Sequence, residues 1–335
     1  MSMDKLLINW YLENKRDFPW RKTSDPYKIW ISEIMLQQTQ TTTVIDYYNR
    51  WIKDYPDLYT LSHTTLEDVY KHWEGLGYYS RVKHIYETSQ ILHTHYNDTF
   101  PKTYKEIIEL KGIGPYTAGA IMSLSYNQPY PAVDGNVLRV FSRINNSDKN
   151  IALNSTIKEI SKQIEKLLKK TTPNLFNQAL FDLGATICTP SHPKCENCPI
   201  RTICKAYKYH TQNILPVNIK KVKKSEEMYI TGIIQYNDQY MLVKNKKGLL
   251  ENLYGCIQYQ VESPYSFIET FKEEYHQDIE VLEYLGKVTH VFTHKKWHMH
   301  VYLFKLQNPN NDLFTSLDDI TISTAHKKVL KLINL

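Results

Sequence analysis

No apolar run in the 335-residue chain approaches the roughly 20 residues that a membrane-spanning helix needs, so no membrane partner is expected. The opening residues, MSMDKLLINWYLENKRD, place charges where a secretory signal would carry an unbroken apolar core. Secretion is therefore not expected, and the default compartment is the cytoplasm. Internal repeats and low-complexity segments are also missing, which argues against a stacked-repeat architecture. Cysteine is scarce, with five in all and four of them inside residues 188–204, too few and too clustered for a disulfide-built scaffold. Acidic residues run short in the first two-thirds. Residues 1–225 hold 30 Lys and Arg against 21 Asp and Glu, whereas residues 226–335 hold 11 Lys against 14 acids. A basic N-terminal part suits a polyanionic partner, although a solvated lysine-rich surface gives the same count.

What is present is enough for two folded domains. Hydrophobic residues make up 42% and charged residues 23%, the balance of a globular protein long enough for two cores. Residues 1–187 carry helical spacing, as in Leu6, Leu7, Trp10, Tyr11 and in Ile157, Ile160, Ile164, Leu167, Leu168. Turn signals at Asp25-Pro26, Phe100-Pro101 and Thr172-Pro173 separate these stretches. The cysteine segment at 188–204 follows. Residues 205–226, with Lys220, Lys221, Lys223 and Lys224, lack any period and read as an exposed basic linker. From 227 to 335 the pattern alternates. MYITGIIQY, Asn237-Asp238 and QYMLVKN form a predicted hairpin, KVTHVF and WHMHVYLFKL predict further strands, and helices are expected at 266–276 and 325–333. The fold class is multidomain: an all-α part followed by a smaller α+β domain.

Four cysteines spaced Cys188-x6-Cys195-x2-Cys198-x5-Cys204 point to metal ligation. Thiolates suit zinc or an iron–sulfur cluster, and spacing alone does not separate the two. Cys256, far away, reads as an ordinary buried cysteine. Upstream, LKGIGPYTAGAI at 110–121 places Gly112 and Gly114 before a helix that starts at Pro115. Glycines there can take positive φ and let the backbone approach a ligand, and the free N–H groups of the helix start, with Thr117 among them, can hold one phosphate. Alone, the same string fits any helix–helix turn.

It has companions in order: WISEIMLQQTQ, GLGYYSR and PAVDGNVLRVFSRI. Together these motifs resemble the adenine DNA glycosylases of the MutY type, in the helix-hairpin-helix superfamily that includes endonuclease III. The resemblance covers the first ~225 residues and includes that family's cysteine spacing, which implies a [4Fe–4S] cluster on Cys188, Cys195, Cys198 and Cys204. It implies a helix-hairpin-helix glycosylase core followed by a Nudix-like mismatch-recognition domain. The expected activity is excision of adenine from A:8-oxoguanine, and from A:G, in double-stranded DNA, by a monomer. In a bacterium such a protein works at the nucleoid. Protein partners are not legible.

Glu33 lies among Ile29, Trp30, Ile34, Met35 and Leu36, so turning inward would strip its hydration and raise its pKa. A glutamate on an amphipathic helix can equally be solvated; the resemblance makes Glu33 the acid that protonates adenine. Asp134, before a helical pattern, reads as an N-cap. The resemblance adds stabilisation of an oxocarbenium-like transition state, with Asn136 beside it. Tyr116 stands where relatives of the endonuclease III kind carry a nucleophilic lysine. A phenol cannot form a Schiff base, so a monofunctional enzyme is expected. The resemblance further implies intercalation by Gln38, Leu76 and Tyr78 during base flipping, and an adenine pocket of Arg16, Trp20, Arg21, Leu36 and Gln178.

The same resemblance assigns 8-oxoguanine recognition to Phe292-Thr293-His294, where the family has Phe-Ser-His. FKEEYHQDI lacks the glycine and arginine framework of a Nudix hydrolase box, so phosphohydrolysis is not expected. Rival readings are a pyrimidine-specific glycosylase of the same superfamily, disfavoured by Tyr116 and the C-terminal domain, and a noncatalytic DNA-binding redox sensor, disfavoured by Glu33 together with Asp134.

Overall fold

The computed structural model describes residues 2–219, 225–307 and 320–334. The chain divides into two compact units, Met1–Leu66 with Ser80–Lys220, and Glu67–Tyr79 with Lys221–Leu335. Helices appear in order as α1 (Met3–Asn14), α2 (Pro26–Leu36), α3 (Thr41–Asp54), α4 (Leu58–Ser62), α5 (Leu66–Trp73) and α6 (Ser80–Tyr96). They continue as α7 (Tyr104–Ile108), α8 (Pro115–Leu124), α9 (Gly135–Asn145), α10 (Asn154–Leu168), α11 (Pro173–Thr186) and α12 (Lys205–Lys208).

In the first unit α9 and α11 pack together and α1 closes over α11. The core there joins Leu7 and Tyr11 to Val137, Val140, Phe141, Ile160, Ile164, Phe176, Leu180 and Leu183, the 3.6-period stripes of four helices. Glycines set two close approaches. A Cβ on Gly184 of α11 would lie 2.7 Å from that of Asn136, and one on Gly119 of α8 would lie 2.2 Å from the carbonyl oxygen of Pro131. Small residues thus let α8 press against the segment that leads to Asp134 and α11 against the first turn of α9.

The expected linker is shorter than its composition suggests. Leu215 is buried, Arg143 donates to the Leu215 carbonyl at 2.9 Å, and Ile151 N–H donates to Val217 at 2.9 Å. Hydrogen bonding therefore ties residues up to 219 to the helical unit, and β1 already begins at Ser225. The lysine run from Lys220 to Lys224 lies outside the described residues.

In the second unit a five-stranded sheet is built on β1 (Ser225–Tyr236), with β2 (Gln239–Met241), β5 (Ile257–Tyr259), β6 (Asp278–Val291) and β7 (Lys295–Gln307). β3 (Val243–Lys244) and β4 (Tyr254–Gly255) form a small second sheet. β1 and β2 make the predicted hairpin around Asn237-Asp238. β1 also runs parallel to β7, a pairing of distant segments that no local pattern announces. α13 (Pro264–Tyr275) buries Phe267 and Phe271 against Ile230, Ile234 and Phe304, and α14 (Thr324–Leu330) follows.

Residues 67–79 belong to this second unit rather than to the helical one. Lys244 pairs with Glu67 at 2.7 Å, Lys327 with Glu74 at 2.7 Å, and the Thr293 hydroxyl donates to the Tyr78 oxygen at 3.2 Å. This departs from a boundary drawn at 227. Contacts with distant parts of the chain, rather than local composition, set this grouping.

Candidate active site

α2 begins at an Asp25 cap, whose carboxylate accepts from Tyr27 N–H, followed by Pro26 at the first helical position. The helix is then buried from Ile29 to Met35, with Glu33 as its one carboxylate. Glu33 is 5% exposed, and its Oε2 has no hydrogen-bond partner within the protein. Burial pushes its pKa up to about 7, helped by Asp134 and opposed by the Tyr116 hydroxyl and by Arg21. Near neutrality this acid is balanced between its two protonation states.

Asp134 ends an extended segment and caps α9. Its Oδ1 accepts from Val137 N–H at 2.8 Å and its Oδ2 from the Asn136 amide at 2.8 Å. Burial raises its pKa, while these hydrogen bonds resist the rise by favouring the anion. The N-cap is compatible with a functional carboxylate, since capping fixes the side chain. Asn136 in turn accepts from Arg139, which also donates to the carbonyls of Gly184 and Cys188, each at 2.8 Å.

Tyr116, in the first turn of α8, lines the same cavity as Glu33, and its ring lies 6.0 Å from that of Phe181. Burial and the carboxylates of Glu33 and Asp134 raise its pKa well above the usual phenol value. It is therefore a neutral donor at any working pH.

Glu33, Tyr116, Asp134 and Asn136 line one cavity of about 320 Å³. Arg16, Trp20, Arg21, Leu36 and Gln178, the residues expected to hold adenine, line the same cavity. Trp20 stacks on Phe18 with centroids 5.0 Å apart. Gln178 accepts from Tyr11 at 2.9 Å and donates to Asn174 at 2.6 Å. Sequence reasoning missed Asp182, which organises this wall. Arg21 donates to both its oxygens at 2.7 and 2.8 Å, and the Arg16 Nε donates at 2.7 Å. Burial works against the Asp182 anion, but Arg21 and Arg16 hold its pKa below the usual range. The available signal was an acid in the apolar run ALFDLGA, four residues after Gln178.

The hairpin turn differs in detail from expectation. Gly112 has φ +73°, and a Cβ there would lie 2.6 Å from that of His84. Gly114 instead caps α8 with an extended backbone, φ −93° and ψ 178°, so only one of the two glycines needs a positive φ. The Thr117 side chain is buried, which leaves its backbone N–H as the group able to face a phosphate. Gln38 and Tyr78 are exposed and both left-handed, at φ +58° and +49°. Leu76 is buried instead, 6% exposed, so it is not presented in the free protein.

Phe292, Thr293 and His294 form the turn between β6 and β7, closed by Phe292 N–H to Lys295 at 2.8 Å. The Phe292 ring meets Trp297 edge-on at 4.7 Å, while Thr293 and His294 are exposed. His298 and His300, two residues apart on β7, have separate partners, Glu226 and Tyr284.

Cys188, Cys195, Cys198 and Cys204 are all free and half-buried, and line one small hollow with Val140, Ile144, Leu183 and Ile200. Burial and mutual repulsion of the thiolates push Cys198 up to about 12. Arg143 donates to the Cys188 sulfur at 3.3 Å and to the carbonyls of Thr189 and Pro190. Among the described residues no group of three or more His, Cys, Asp or Glu side chains is placed to hold a metal ion. The all-sulfur donor set around a shared apolar hollow fits a polynuclear iron–sulfur cluster. No helix among the described residues is long and apolar enough to cross a membrane.

Residues 31–170 match the family described as HhH-GPD superfamily base excision DNA repair protein, and residues 230–332 match the NUDIX domain. The chain is 36% identical over 333 residues to an adenine DNA glycosylase of Buchnera aphidicola subsp. Baizongia pistaciae, covering 97% of this chain and 89% of that protein. Among solved structures it is similar to a thermostable thymine-DNA glycosylase, at 30% identity and TM-score 0.57, over 61% of this chain and 94% of that one. A trapped endonuclease III–DNA covalent intermediate shares the fold, at 21% identity and TM-score 0.53, over 63% of this chain and 99% of that one.

Proposed function

The chain belongs to the adenine DNA glycosylases, N-glycosyl hydrolases of base-excision repair, and on that footing we propose that its substrate is adenine mispaired with 8-oxoguanine or guanine in double-stranded DNA. The observation that carries the mechanism is one cavity holding two carboxylates of different character. Glu33 has a pKa near 7 and can carry a proton, while Asp134 accepts two hydrogen bonds that favour its anion against the effect of burial.

Glu33 protonates a ring nitrogen of the flipped adenine. The C1′–N bond breaks, its electron pair leaves with the base, and the Asp134 anion faces the positive charge that develops on the sugar. A water oxygen adds to C1′, and its proton passes to the Glu33 carboxylate, which restores the acid. Tyr116 orients Glu33 by donating to it and offers no amine, so the product is an intact strand with an abasic site. Trp20, Leu36 and Gln178, with Arg16 and Arg21 braced on Asp182, form the adenine pocket. Gln38 and Tyr78 enter the stack, and N–H groups at the start of α8 hold a phosphate.

Recognition of the opposite base falls to Phe292, Thr293 and His294. The Thr293–Tyr78 hydrogen bond supports this, because it joins that turn to an intercalating residue. Cys188, Cys195, Cys198 and Cys204 would hold the [4Fe–4S] cluster, which when bound supplies a four-thiolate cross-link and a redox centre.

The test uses duplexes carrying A:8-oxoguanine, A:G and A:T, incubated with the protein and resolved with and without alkali. Alkali-dependent breaks at the first two, strongest at the first, are expected. No break at A:8-oxoguanine would refute the substrate. Scission without alkali, trapped by borohydride, would refute the role of Tyr116.

A further inference from the structure

Arg81 occupies the second position of α6 and is 7% exposed. Its guanidinium reaches the far end of α2, the helix that carries Glu33. Nη1 donates to the carbonyls of Ile34 at 2.9 Å, Met35 at 2.9 Å and Gln37 at 2.6 Å, and Nη2 donates to the Thr39 hydroxyl at 3.2 Å. The last carbonyls of a helix have no intrahelical partner and form the negative end of its dipole. One buried cation takes the Ile34, Met35 and Gln37 carbonyls here, Ile34 also accepting from the Gln37 N–H at 3.3 Å.

The consequence falls on the residue between the clamped ones. Gln37 and Thr39 are both held by Arg81, and Gln38 between them projects into solvent at φ +58°. A left-handed conformation costs a side chain with a Cβ, so it persists only where its surroundings impose it. The same face of α6 also abuts the hairpin, since His84 fills the space beside Gly112.

We propose that Arg81 is a positioning residue for base extrusion: it caps α2 and fixes the strained turn that aims Gln38 into the DNA stack. This rests on the reading of Gln38 as an intercalating residue. Lysine cannot replace the arginine. It keeps the charge but loses the planar fork that spans several acceptors at once.

The experiment compares the full-length wild type with Arg81→Lys, Gln38→Ala and the double variant. It measures single-turnover excision and the fluorescence of a 2-aminopurine placed beside the target adenine, which reports extrusion. Duplexes carry the adenine opposite 8-oxoguanine or opposite an abasic site, where less stacking has to be broken. Arg81→Lys should slow extrusion and excision by about tenfold to a hundredfold at A:8-oxoguanine and by clearly less at the abasic duplex. The double variant should be no slower than Gln38→Ala alone. Multiplying losses in the double variant, equal losses on both duplexes, or wild-type rates for Arg81→Lys would overturn the inference. If Gln38→Ala itself extrudes normally, the intercalation reading fails first and the inference falls with it, by a separate signal. Should Arg81→Lys not fold, Thr39→Val removes one contact of the same clamp. It should show the same substrate dependence to a smaller degree, and a uniform loss or none would again overturn the inference.

Discussion

Replacing Glu33 by glutamine should stabilise the protein while abolishing excision, and the gain should depend on pH. In the unfolded chain the carboxyl titrates at its ordinary 4.5, and in the fold burial raises it to about 7. Below pH 4.5 both states hold the proton, and ionisation adds nothing against the fold. Between pH 4.5 and about 7 only the unfolded chain has gained the solvated anion, so the folded state loses relative stability across that window. The loss is complete above pH 7 and amounts to about 3 kcal/mol. Glutamine has no charge to bury, so the variant's advantage over wild type should grow by about 3 kcal/mol between pH 4.5 and pH 8. For a unit of this size that corresponds to roughly 6–12 °C in melting temperature. Thermal melts of both proteins across that range measure it, and taking the difference cancels groups they share. Excision should fall by about 10²–10⁴-fold, the usual contribution of a general acid. A pH-independent stability difference, or one that shrinks as pH rises, would refute the buried-acid argument.

Three other changes test neighbouring parts of the site. Asp134→Asn keeps an N-cap for α9, so stability should change by less than ~1 kcal/mol while excision is lost and mismatch binding persists; an active variant in single-turnover assays would remove the transition-state role. Gly184→Ala places a Cβ 2.7 Å from that of Asn136, and should cost about 1–3 kcal/mol in urea melts and slow excision by displacing Asp134's partner. Cys198→Ser should deplete iron and acid-labile sulfide, about four of each per chain in the wild type, and expose residues 188–219 to proteolysis; full retention of both would exclude Cys198 as a ligand.

Much of this protein is written locally. Period-3.6 stripes mark the helices, and alternation marks the β1–β2 hairpin and the long strands β6 and β7, because each depends on neighbours a few residues away. The cysteine spacing and the order of the motifs carry the resemblance, and the structure brings Glu33, Tyr116, Asp134 and Asn136 to one cavity with the expected adenine-pocket residues. Other features were not legible. Gly114 and Thr117 look interchangeable with Gly112 as phosphate contacts until the backbone shows one positive φ and one buried hydroxyl. Leu76, which the resemblance implies for intercalation, is buried. The Asp182 brace behind Arg16 and Arg21 joins helix α11 to the segment after α1, and no local pattern links them.

The sequence alone determined the kinds of element, the four-cysteine loop, and the absence of an amine at Tyr116, because side-chain identity settles which bonds can form. Only the tertiary structure decided how acidic Glu33 is, since its pKa is set by what surrounds it and not by the residue itself. It also decided that Glu67–Tyr79 joins the C-terminal unit and that β1 runs beside β7. Those outcomes depend on contacts between distant parts of the chain. Their free energy exists only once the chain has closed on itself.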